Sequence, residues 1–167
     1  LVWTTGHSGT AKQKEELARL LADAIGKTEG VEPKSFLIEQ LQFLGIDSIA
    51  PTLYPLMTDN ELGPRAIRTL ASLKPKGLAG KVKTALADAK TTDVKAGLLL
   101  TLARLAPSDG AAAVAPYASD ENIYVRTAAL DALAAIGDPK SRPALKAAIE
   151  QSTTFQDLLA PARYLSY

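Results

Sequence analysis

Cysteine is absent from the 167 residues, and histidine occurs once, as His7. Without cysteine there are no disulfides, no thiolate nucleophile and no sulfur-rich zinc site. A zinc site here would need three or more carboxylates, which that ion rarely accepts. A Ser-His-Asp triad would have to use His7, which lies between Gly6 and Ser8 in a short terminal stretch, where a solvated loop residue is the ordinary reading. Aromatic residues are scarce, 5% with a single Trp3. Charge of one sign is lacking too: the formal net charge is +1. That balance argues against a dedicated nucleic-acid binder, which needs a basic stripe. No apolar run reaches the roughly 18 residues of a membrane span. Gly77-Leu-Ala-Gly80 lacks the lysine context of a phosphate-binding loop. No catalytic, cofactor or metal site is expected.

What is present is alanine and leucine. Apolar residues make up 47% of the chain with few aromatics among them, which suits closely stacked helices better than a sandwich of β-branched strands. The stretch Asp120 to Asp138 shows the grammar most plainly. After an acidic turn and Val125-Arg126, it sets Ala129, Leu133 and Ile136 on one helical face, then stops at Gly137 with Pro139 beyond.

Similar stripes run through the chain. Helices are expected at 10–26 (Leu17, Leu20, Leu21, Ala24; capped by Thr10 or Ser8, with a Glu15–Arg19 surface pair) and 33–44 (Leu37, Leu41, Leu44). Further helices are expected at 49–58 (Ile49, Leu53, Leu56, Met57; capped by Asp47 or Ser48, bent at Pro55) and up to 73 (Leu62, Ala66, Leu70, Leu73). Next come 77–89 (Leu78, Val82, Leu86) and 94–106 (Leu98, Leu102, Leu105), then a short Ala-rich piece at 111–119 interrupted by Pro116. Ser141 caps 142–151 (Leu145, Ile149), and a last helix starting at Thr153 or Thr154 carries Leu158, Ala162 and Leu165, with a kink at Pro161. Leu1 to Gly9 is expected to be irregular, with Val2 and Trp3 either packed over the open end of the array or frayed; packing is favoured because a Trp left in water is uncommon. No segment alternates with period two, so no sheet is expected.

The last stripe residue of every second helix, Leu44, Leu73, Leu105, Ile136 and Leu165, recurs at intervals of 29, 32, 31 and 29 residues. The residue three earlier is Leu41, Leu70, Leu102, Leu133 and Ala162. Five units in register define a helical repeat array with boundaries near 10–45, 46–74, 75–106, 107–138 and 139–167. The fold class is therefore all-α, an α-α solenoid of about five helix pairs. Asp59 precedes Arg65, and Asp120 precedes Arg126, by six residues. Such acid–base pairs are expected to form a ladder between neighbouring units.

Val125-Arg126-x-x-Ala129-x-x-x-Leu133-x-x-Ile136-Gly137-Asp138 resembles the second helix of a HEAT repeat, in particular the short bacterial kind grouped with phycobilin-lyase-type repeats. Val94-Lys95 and Pro64-Arg65 are weaker copies, and the resemblance extends over about 33–167. It implies a right-handed superhelix whose second helices line a concave binding face. It also implies helix pairs whose partners are proteins or peptides. Enzymes of related folds do not fit: the hydroxylases need histidine–glutamate iron sites, and the DNA-alkylation glycosylases a basic groove with aromatics. Lys34, Glu39, Gln42, Arg68, Lys95, Leu100, Arg126 and Asp131 are the candidate groove residues, with Leu100 an apolar anchor at the register position of Arg68 and Asp131. Their mixed signs point to a protein or peptide rather than a polyanion. The expected function is a non-catalytic interaction scaffold; the alternative is a spacer or regulatory module of a larger enzyme. A start at Leu1 and an end inside a helical pattern suggest a piece of a longer chain, and the family resemblance favours an exported bacterial one.

Overall fold

A computed structural model describes residues 2–151. Among the described residues there are helices and no strands, so the protein is all-α. Its contacts cluster into two compact units, Leu1–Leu78 and Ala79–Tyr167.

In the first unit, α1 (Val2–Ser8) is followed by α2 (Ala11–Lys27) and α3 (Val31–Leu44). Thr10 caps α2 in a reciprocal box: its hydroxyl accepts from the Gln13 amide at 3.3 Å, and its own amide donates to Gln13 Oε1 at 2.9 Å. Pro33 falls in the first turn of α3, where its missing N–H costs nothing. Gly45 closes that helix in the left-handed conformation, φ 65°. The next repeat opens with a 3-10 turn, Asp47–Ile49, then α4 (Ala50–Leu53) and a second 3-10 turn, Tyr54–Thr58. Pro55 cannot donate to an α-helical ladder, so the expected bend is a change of helix type. Its partner α5 (Gly63–Leu73) packs against α3, which also packs on α2. Ile38, Leu41, Leu53 and Leu70 are fully buried between these helices. Each such side chain contributes about 1.5–3 kcal/mol.

Three local expectations are corrected here. Residues 2–8 are helical rather than irregular, and Trp3 is not packed away but 67% exposed. The buried face of α2 is Ala18, Ala22 and Ile25, while Leu20 is 61% exposed. Neither Asp47 nor Ser48 caps with its side chain; the Ser48 hydroxyl donates to Glu15 Oε1 at 2.7 Å and ties α2 to the next repeat.

The second unit is built from α6 (Leu78–Asp88), α7 (Thr92–Leu105), α8 (Ala111–Val114) with a 3-10 turn at Ala115–Tyr117, α9 (Ile123–Ile136), a 3-10 turn at Pro139–Ser141, and α10 (Arg142–Gln151). Pro116 shortens the first helix of its repeat as Pro55 does. The second helices α7 and α9 form the most extensive packing of this unit. Leu98, Leu99, Leu102, Leu130 and Leu133 are fully buried. Asn122 is the N-cap of α9, accepting from the Tyr124 and Val125 amides at 3.0 and 3.4 Å. Its amide also donates to Thr92 Oγ1 at 3.3 Å, linking the starts of α9 and α7. Tyr117 Oη donates to the Leu86 carbonyl at 3.0 Å, so the truncated first helix is still anchored to α6. The expected last helix with Leu158, Ala162 and Leu165 lies outside the described residues.

Candidate partner-binding surface

Within each unit the second helices carry the candidate residues, and those helices pack on one another: α3 on α5, α7 on α9. Lys34, Lys95 and Arg126 are each the fourth residue of their helix, an equivalence that the repeat register explains. All three are half-buried. A cation near a helix N-terminus opposes the macrodipole, at a cost of roughly 0.3–1 kcal/mol, so helix stability does not account for them.

Glu39, Arg68, Leu100 and Asp131 hold a second equivalent position, each two residues before a stripe leucine. The structure separates their roles. Glu39 accepts from Arg65 Nη1 across the α3–α5 contact, so it is used to link repeats. Both side chains are part exposed, which limits the pair to about 0–1 kcal/mol and makes register its main effect. Arg65 therefore joins the preceding second helix, α3, rather than Asp59. Asp59 instead accepts from the amides of Glu61 and Leu62 at 2.9 and 2.8 Å.

Arg126 is also engaged locally, Nη1 donating to the carbonyls of Asp120 at 2.7 Å and Glu121 at 3.2 Å. The Asp120 carboxylate accepts from the Asn122 amide at 2.8 Å. The expected acid–base ladder is thus corrected at both steps: backbone groups take each aspartate. Counting 61 residues on from Arg65 gives Arg126, and 61 on from Glu39 gives Leu100, so the carboxylate of the first link is replaced by an apolar side chain. Asp131 is half-buried on α9 and engaged in a contact of its own.

Arg68 is exposed on α5, Gln42 half-buried on α3, and Leu100 46% exposed on α7. These, with Lys34 and Lys95, are the candidates for which no side-chain partner is seen among the described residues. Sequence reading missed the exposed aromatics Phe36, Phe43 and Tyr124. All three fall off the buried stripes, which was the available signal. A groove of about 450 Å³ in the second unit is lined by Asp120, Glu121, Arg126, Leu130 and the alanines of α10. Lys83 Nζ and Asp109 Oδ2 pair at 2.6 Å. The hydrogen bond from Lys83, then its charge, holds the Asp109 carboxyl below its usual 3.8.

Among the described residues no group of three or more His, Asp or Glu side chains is placed to hold a metal, and no helix is long and apolar enough to cross a membrane. Stacked antiparallel helix pairs with their second helices in contact define the class of α-helical repeat proteins. Residues 81–158 match the family model for HEAT repeats, which supports reading the chain as a HEAT-repeat protein. The match spans just under half of the chain. No curated protein matches it.

Proposed function

We propose that the protein is a non-catalytic scaffold that takes a protein or peptide partner on the face lined by its second helices. One observation carries this reading. The repeat position shared by the second helices is exposed in each unit taken by itself: as Arg68 on α5 in the first, where the equivalent Glu39 is spent on the link to Arg65, and as Leu100 on α7 in the second. Lys34 and Lys95 add cations at helix starts, where they oppose the helix dipole. The mixture of charge and apolar surface suits a peptide better than a polyanion.

The test is affinity capture from source-cell lysate with the native protein and an Arg68→Glu, Leu100→Asp variant as baits. Glu39 is left intact, because reversing it would break the Arg65 link and confuse folding with binding. A protein enriched by the native bait and lost with the equally folded variant supports the scaffold. Enrichment of nothing, or equal retention by both baits, sinks it. A spacer or regulatory module is the second reading. It is favoured by Glu39 and Arg126, two candidates whose interactions are internal.

A further inference from the structure

Asp109-Gly110 is the one Asp-Gly pair in the sequence. It forms the turn ahead of α8, with the Asp109 side chain 74% exposed and Gly110 buried. Packing dictates the glycine. A Cβ at Gly110 would stand 2.8 Å from Pro107 Cγ and 3.0 Å from Ile136 Cδ1 of α9, so any other residue would have to displace them. Glycine at that place has a chemical consequence, because it leaves its amide nitrogen unshielded beside the aspartate. Attack of the Gly110 nitrogen on Asp109 Cγ forms a C–N bond and closes a five-membered succinimide. The protonated carboxyl gives up its hydroxyl, which leaves as water with the amide proton. Water then breaks the ring at the Asp109 backbone carbonyl, and the chain runs on through the side-chain carbon as isoaspartate. One water is lost and one regained, so the net change is an isomerisation.

Two contacts oppose this step. Lys83 Nζ on α6 pairs with Asp109 Oδ2 at 2.6 Å, which favours the ionised carboxylate and turns it towards α6. A carboxylate is a poor acyl electrophile, since it has no hydroxyl to lose. The reacting nitrogen is tied as well, its N–H donating to the Pro107 carbonyl at 2.9 Å. We propose that Asp109-Gly110 is a covalent modification site, a slow isoaspartate switch that Lys83 restrains and that unseats α8 from α9 once converted. The extra backbone carbon lengthens the chain just ahead of Gly110, whose backbone has no spare room against Pro107 and Ile136. The switch does not depend on the second-helix binding face, and the two readings fail separately.

Ageing of the full chain in warm neutral buffer tests this, once circular dichroism has shown that native protein and variants are equally folded. Electron-transfer fragmentation, which tells the two backbones apart, should find isoaspartate at position 109 accumulating slowly in the native protein. Lys83→Met should accumulate it several-fold faster, whereas Lys83→Arg, which keeps a cation within reach, should stay near the native rate. Asp109→Glu should accumulate none there, because its ring would need a sixth member. The isolated converted protein should exchange its amide hydrogens faster over 111–117, with α6 and α7 exchanging as before. Absence of isoaspartate at 109 from native protein and Lys83→Met alike overturns the site. Equal rates in those two, or a Lys83→Arg rate as high as that of Lys83→Met, overturn the restraint. Unaltered exchange over 111–117 overturns the unseating of α8.

Discussion

Four second helices end in a left-handed residue: Gly45, Lys74, Ala106 and Gly137, with φ of 65°, 50°, 41° and 70°. Glycine takes that conformation without steric cost, whereas a Cβ meets the neighbouring carbonyl. Lys74→Gly and Ala106→Gly should each stabilise the protein by about 0.5–1 kcal/mol after the extra freedom of the unfolded glycine is counted. Thermal denaturation checks this, and a lowered midpoint would count against it. A second residue-scale outcome concerns Asp109. Its folded carboxyl titrates below the usual 3.8 because Lys83 donates to its charged form. The linkage has the sign of a depressed acid: any stabilisation is present above pH 3.8 and lost as pH falls through the folded value. Lys83→Met should return the Asp109 midpoint towards 3.8, read by carboxyl-carbon NMR.

At the level of the element, the repeat was legible because its stripe residues recur near every 30 positions, and Leu41, Leu70, Leu102 and Leu133 are all buried. Gly45 and Gly137 marked two helix ends by residue type; Lys74 and Ala106 are recognisable only by register. Where the stripe was misplaced, packing had broadened or rotated it. In α3 Ile38 is fully buried together with Leu41, whereas Leu37, which the stripe placed inward, is only half-buried. A helix flanked on two sides, as α3 is by α2 and α5, buries more than one stripe, and a period count does not say which neighbour faces which side. Ile38→Ala should therefore cost about 2–5 kcal/mol by cavity formation. Leu37→Ala should cost about 1 kcal/mol, and denaturant unfolding separates the two. On α2, exposed Leu20→Gln should stay within about 0.5 kcal/mol of native stability.

For the whole molecule, the sequence carries architecture more fully than a site. Helix periodicity depends on which residues are apolar, whereas a binding face depends on which polar residues are already engaged. Glu39 and Arg68 are indistinguishable by register, but Arg65 takes Glu39 and leaves Arg68 exposed. The Arg65–Glu39 partnership joins residues 26 apart in sequence, and no local spacing rule anticipates it. Arg126 likewise resembled a ladder partner for Asp120, yet it is the backbone carbonyl that receives its guanidinium.

The most direct measurement is the affinity of a captured partner for Arg68→Glu compared with Arg19→Glu, an exposed charge on the first helix α2, by calorimetry. A second-helix binding face predicts at least a tenfold loss, about 1.4 kcal/mol, for Arg68→Glu, with Arg19→Glu unchanged. Equal binding by Arg68→Glu, or a loss confined to Arg19→Glu, would contradict it.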